Sequence, residues 1–276
     1  MDAIEQVQES QFLEKAERSL KHLFETVRVK DELNFALSLA PEFKAYTLTS
    51  AIDAIAAYRE YCDFLNLEEF RGKGIRIRVY LALYCHMAEA AGLWGVPMCM
   101  LGVLDGQKYS TDPFDYLVRN HKVSGQTVAP NANKVMATMA GAAESLGLSD
   151  LAEVFRDAFD ADIRNGFAHA DYALSGEGLH VRGRHDTSRL VAWPELGKLL
   201  QDGVGLFEVL RAVIKYYQDF YQTPQMVIGS SDPNSSDGHW LIYSDPVAKT
   251  MSVRGGPGCS PESLWKVHHA QTGGSG

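Results

Sequence analysis

Arg164, Asn165 and His169 stand in the run Asp162-Ile163-Arg164-Asn165-Gly166-Phe167-Ala168-His169-Ala170-Asp171-Tyr172-Ala173-Leu174 and spell Arg-Asn-x-x-x-His at the end of a helical stretch. Arginine brings a permanent cation with a planar fork that matches phosphate oxygens, and histidine is the side chain that exchanges protons near neutral pH. Together they can cut RNA without a metal. Five residues on an ideal helix turn two side chains roughly 140° apart, too far to share a face, so the helix is expected to end or bend between Arg164 and His169. Gly166 lies in that gap, where glycine costs a helix interior about 1 kcal/mol and frees the backbone to turn. The same two residues also admit a purely structural use, Arg164 capping a carboxylate and His169 closing a helix end.

At these residues the chain resembles the HEPN superfamily, small helical domains whose signature is an arginine, a polar residue next to it and a histidine a few positions on. Arg164, Asn165 and His169 fill the three places, acidic Asp162 precedes them, and Ala170-Asp171-Tyr172 leads into an apparent strand. The likeness extends over about residues 70 to 220. It implies a mainly α fold, an antiparallel helical bundle with a small β hairpin, to which a C-terminal β segment is appended here. It also implies a homodimer that brings two motifs into one cleft, and a metal-independent endoribonuclease of the kind found in toxin, antiphage and RNA-processing systems, sometimes with a companion protein. His169 would then serve as general acid or base on a ribose 2′-hydroxyl or a leaving 5′-oxygen. Arg164 would hold the charged phosphate and Asn165 would orient both, leaving a 2′,3′-cyclic phosphate and a 5′-hydroxyl. One departure stands out: in the toxin branch paired with a minimal nucleotidyltransferase a tyrosine follows the histidine after one residue, whereas Tyr172 follows His169 after two. Other readings stay open: a non-catalytic module binding RNA, a nucleotide or a partner protein through the same cleft, or an adaptor docking through its first helix and last strands.

Around the motif, His86 and Glu89 lie one helical turn apart and are expected to face the Arg164 and His169 cleft, with Asp171 and Tyr172 as further auxiliary residues. No metal is expected, because the chain has neither His-Glu-x-x-His nor a second Glu-x-x-His helix. No cofactor is expected either, since Walker, dinucleotide and nucleophile-elbow sequences are missing. The formal charge of -9 disfavours long-range attraction of a polyanion, so RNA contact must be local. Arg71, Lys73, Arg76 and Arg78, at the opening of a helix, form the best phosphate patch, and Arg119 to Lys122 and Arg182 to His185 add smaller runs. His268-His269 near the end reads as mobile and chemically idle.

The elements that must position these groups follow from hydrophobic period and punctuation. The four cysteines are widely spaced with no Cys-x-x-Cys, as free thiols in a reducing cytoplasm are. The acidic start is no secretory signal, and no apolar run reaches the roughly 20 residues of a membrane helix. A long amphipathic helix is predicted over about 2 to 30, and a second from Pro41 to Leu65 with the stripe Leu48, Ile52, Ile55 and Ala56. These form an extension, 1 to 68. The HEPN-like body, 69 to 222, is expected to hold a helix from Arg71 to about Trp94 and a long connection through Pro130. Helices follow over 131 to 146 and 149 to 165, the latter capped by Ser149, then a hairpin from Tyr172-Leu174 and Leu179-Arg182, and a closing helix from Pro194 to Tyr221. From 223 to 276 the pattern becomes short strands around an Asp245-Pro246 turn, with a flexible glycine-rich tail.

Overall fold

The computed structural model describes residues 11–40, 45–67, 73–120, 125–182, 188–247 and 250–272. Pro41, Arg71, Lys122, Arg184, the first ten residues and the final Gly-Gly-Ser-Gly therefore lie outside the described residues. The chain is mainly helical with small antiparallel sheets, in the order α1 (Gln11–Lys30), α2 (Glu32–Leu39), α3 (Ala45–Asn66), α4 (Lys73–Ala88), α5 (Ala91–Leu104), β1 (Arg119–Asn120), β2 (Thr127–Val128), α6 (Ala132–Ser145), α7 (Ser149–Asp157), α8 (Ala161–Ala168), β3 (Tyr172–Leu174), β4 (Gly178–Arg182), β5 (Ser188–Ala192), α9 (Trp193–Phe220), β6 (Gln225–Gly229), β7 (Gly238–Asp245), β8 (Thr250–Gly256) and α10 (Pro261–Thr272). Among the described residues no single helix is long and apolar enough to cross a membrane. Two compact units are distinguished, one of residues 1–19, 49–93 and 117–210, the other of 20–48, 94–116 and 211–276, with four of the five boundaries falling inside α1, α3, α5 and α9 and the fifth in the short 3-10 turn Asp115–Leu117.

The first unit holds the motif. Its core is made by Leu81, Tyr84 and Met87 of α4, Phe155 of α7, Ile163 of α8 and Phe207 of α9, all essentially buried. A Cβ on Gly203 of α9 would stand 2.5 Å from the Tyr84 ring and 2.8 Å from the Ala158 carbonyl oxygen, so α9 approaches these residues closely only because glycine is there. The sheet runs β3-β4-β5, antiparallel throughout, with Tyr172 opposite Val181 and Val181 opposite Arg189. A third strand thus joins the expected hairpin. The second unit packs Phe24, Phe35 and Tyr217 as a ring cluster with centroids 5.4 to 6.0 Å apart. Buried Asn34 on α2 is fully employed: its amide donates to Asp31 at 2.8 Å and to the Ser230 carbonyl at 3.0 Å, and its oxygen accepts from the Tyr109 N–H at 2.9 Å. The β6-β7-β8 meander in this unit is covered by α10 through Leu241, Tyr243 and Leu264.

Several expectations are corrected. The stripe assigned to α3 is not its buried face, since Ile52 is 56% exposed while Ala54, Tyr58 and Leu65 are buried; Leu48 lies among residues whose side chains are not described. The helix beginning near Arg71 stops at Ala88, and a separate α5 takes up the start of the supposed connection, helical despite Pro97. Ser149 is the first helical residue and not a side-chain cap. The stretch from 149 to 165 breaks at Ala158–Asp160 because the Asp160 N–H donates to the Tyr84 hydroxyl at 2.5 Å, away from any helical carbonyl, and the Asp160 carboxylate then caps α8. His268 and His269 lie on α10, not in a loose tail, with the His268 ring 4.5 Å from that of Tyr243.

Candidate functional site

Everything at the site depends on how α8 is held, because this eight-residue helix carries Arg164 and Asn165 and ends at His169. At its start the Asp160 side chain accepts from the N–H groups of Asp162 at 2.9 Å and Ile163 at 3.0 Å, satisfying donors that a helix N-terminus leaves open. The other Asp160 oxygen takes the Arg189 guanidinium at 2.6 Å, and Arg189 also reaches Glu195 at 3.1 Å, so β5 and α9 both anchor the cap. These acids hold Arg189 charged above the ordinary arginine range, while burial pushes the Tyr84 hydroxyl well above the usual tyrosine value. In the middle, Gly166 lies flat on the sheet: a Cβ there would meet the Asp171 carbonyl oxygen and Val181 Cγ1, each at 3.2 Å. Gly166 therefore serves close packing and makes no bend; the helix instead ends at Ala168, between Arg164 and His169, as their spacing requires.

At the end, the Asp171 N–H donates to the Gly166 carbonyl at 2.8 Å and the Ala170 N–H to that of Phe167 at 3.1 Å, the paired bonds of a Schellman turn. Ala170 takes the left-handed backbone this requires, with φ of 54°. His169 is the C-cap, with φ -100° and ψ 7°, and is exposed. Among the described residues no hydrogen bond or ion pair joins His169 to Arg164, as the roughly 140° between them on a helix dictates.

Arg164 is occupied. Its guanidinium pairs with the Glu89 carboxylate and donates to Asn165 Oδ1 at 2.8 Å, with only 17% of the side chain exposed. Glu89 follows the last turn of α4, where the helix dipole disfavours an acid, and Arg164 supplies the compensating cation. One turn earlier, His86 is half-buried with its Nε2 enclosed and lacking a partner among the described residues; burial pushes its pKa below the ordinary histidine value, and its ring centroid lies 6.2 Å from that of Tyr61. Burial likewise pushes the neighbouring Cys85 thiol up to about 11, keeping it protonated and unreactive. Asp171 is exposed and pairs with Arg182 at 3.4 Å, and the Tyr172 ring lies 5.6 Å from that of Phe167, tilted by 31°.

The basic cluster is elsewhere. Arg71 and the Lys73 side chain are outside the described residues; Arg76 and Arg78 sit on the first turns of α4, neither forming an ion pair among the described residues, with the Arg78 guanidinium folded back on the Gly74 carbonyl at 3.3 Å. Ile75 beside them is 44% exposed, so this turn does not lie in the core. Thirteen residues of helix separate Arg76 from Glu89, about 20 Å at 1.5 Å per residue. A cleft of about 560 Å3 opens instead at the other end of α8, lined by residues that include Phe12, Phe159, Asp162, Lys198 and Asp202. Among the described residues no group of three or more metal-ligating side chains converges.

Comparison of the chain with family models, with curated proteins and with solved structures finds no match. Sequence reasoning missed Tyr84, Asp160 and Arg189, which fix α8. Only Asp160 left a local signal, an acid directly before a helix start.

Proposed function

We propose that this protein is a metal-independent endoribonuclease with a HEPN-like helical body, working as a homodimer in which two Arg164-Asn165-His169 motifs meet. The observation that carries the reading is the condition of His169: it caps a helix whose start is held by Asp160 and Arg189, is exposed, and makes no side-chain hydrogen bond among the described residues. A histidine so placed is open to proton exchange with a ligand. In the proposed reaction the 2′-oxygen forms a bond to the adjacent phosphorus, the bond from phosphorus to the 5′-oxygen breaks, and the charge on the phosphate is met by Arg164. The 2′-hydroxyl proton passes to one histidine and the leaving 5′-oxygen receives one from another. One chain offers a single motif histidine, so the partner's His169 supplies the second group.

A second reading is favoured by a specific contact. Glu89 already matches the charge of Arg164, the state expected of a module that binds RNA, a nucleotide or a protein without cutting. The two readings separate in one experiment: purified protein is incubated with total RNA in excess chelator. Endoribonuclease action gives 2′,3′-cyclic phosphate and 5′-hydroxyl ends, and His169→Ala or Arg164→Ala lowers the rate by about 100-fold or more. His169→Ala chains that cut at the parent rate overturn the catalytic reading. A clean monomer in sedimentation that still cuts RNA overturns the two-motif site.

A further inference from the structure

Phe167 and Tyr172 are brought together by the turn that ends α8. The left-handed Ala170 and the bond from the Asp171 N–H to the Gly166 carbonyl fold the chain back, so that the first residue of β3 lies against the penultimate residue of the helix. The rings stand 5.6 Å apart, and both remain half-buried at the surface instead of entering the core. Arg164 precedes Phe167 by three residues, which on a helix places the two on one face with Cβ atoms about 5 to 6 Å apart. The Arg164 side chain and an aromatic surface thus start from one face of α8.

We infer that Phe167 and Tyr172 form a nucleobase-stacking subsite beside the phosphate held at Arg164, and that stacking gives this site a preference for purines over pyrimidines; the inference rests on the endoribonuclease reading. Stacking needs no hydrogen-bond readout, and a larger π surface gains more from it, so preference follows base size.

The test uses full-length His169→Ala protein, silenced for cleavage, and measures its affinity for oligoadenylate and oligouridylate of equal length. Tighter binding of oligoadenylate is expected. Phe167→Leu or Tyr172→Leu should each lower oligoadenylate affinity about tenfold and erase the difference, Phe167→Tyr should keep it, and Arg164→Ala should weaken both ligands alike. Equal affinities in the parent, or a folded Phe167→Leu chain with both affinities unchanged, overturn the stacking subsite alone if RNA is still cut by wild-type protein. If the wild-type protein cuts no RNA in excess chelator, the endoribonuclease reading falls together with it.

Discussion

Ala170→Gly tests the turn on which the placement of His169 depends. Ala170 is exposed and adopts φ of 54°, so its Cβ contributes no packing while it strains the backbone. A left-handed residue with a side chain costs roughly 1 to 2 kcal/mol, which glycine avoids. Against that, glycine adds freedom to the unfolded chain and returns about 0.4 to 1 kcal/mol. The difference leaves a net stabilisation of about 0.8 kcal/mol, which for a chain of this size raises Tm by about 2 to 3 °C. Glycine accepts the same dihedrals, so both Schellman bonds persist, His169 stays where it is, and the cleavage rate is unchanged. Ala170→Val should move stability the other way by about 1 kcal/mol, because a β-branched side chain is worse than alanine at positive φ. Paired thermal melts of the two variants decide the matter. A glycine variant that melts lower than the parent, or a valine variant that melts higher, refutes the left-handed turn and with it the fixed position of His169.

Gly203→Ala should destabilise by about 1 to 2 kcal/mol, since a methyl group 2.5 Å from the Tyr84 ring and 2.8 Å from the Ala158 carbonyl outweighs the helix propensity gained, and a parent-like melting temperature would refute the close approach. Because Tyr84 accepts the Asp160 N–H, cleavage should fall in the same variant. His86 is held neutral by burial, its folded pKa depressed, so its contribution to stability is present above the unfolded value of about 6.5 and is lost as pH falls below it. His86→Phe should therefore flatten the loss of stability on acidification from about pH 7 to about pH 5, and an unchanged slope would remove the burial argument. Neutralising Arg76 and Arg78 together should weaken RNA binding and reduce its salt dependence by about one unit of slope for each phosphate the protein no longer neutralises, with turnover on saturating RNA preserved. An unchanged slope in a folded double variant would move the search to Arg119 and Arg182.

Local, periodic features were readable in the sequence. Leu20, Leu23, Phe24 and Val27 mark the buried face of α1, and Leu196, Phe207, Leu210 and Tyr217 that of α9, because each helix has one wet side that breaks the apolar run. α2 and α5 have no such contrast: Leu33 to Leu39 are all buried, and α5 reads Ala-Gly-Leu-Trp-Gly-Val-Pro-Met-Cys-Met-Leu-Gly-Val-Leu, apolar all round with glycine and proline that resemble loop punctuation. α10 did leave a signal, since Pro261 occupies a first helical position and the Ser260 hydroxyl accepts from the Ser263 N–H at 3.2 Å, but two histidines near a glycine-rich end obscured it. Arg164, Asn165 and His169 stood out as a candidate site because they are neighbours in the chain. Tyr84 and Arg189 were not, because their bonds to Asp160 span 76 and 29 residues and exist only after folding.

The contact between Glu89 and Arg164 bears on both sides of the functional question. A guanidinium has five donors, and the Glu89 and Asn165 contacts leave part of that fork for a phosphate. With 17% of the Arg164 side chain and 39% of Glu89 exposed, the pair sits at the surface's edge, where an arriving phosphate can compete with the carboxylate or share the cation with it. Removing Glu89 therefore acts in two opposing ways: it frees charge for the phosphate and it releases the side chain that holds Arg164 in place. Glu89→Gln divides these effects, because glutamine keeps an acceptor oxygen for positioning while giving up the negative charge. Tighter RNA binding with slower cutting would assign Glu89 to positioning, whereas tighter binding with equal or faster cutting would assign it to charge masking. Binding that does not change at all would mean that phosphate never reaches Arg164, which would leave the motif a structural pair at the end of α4.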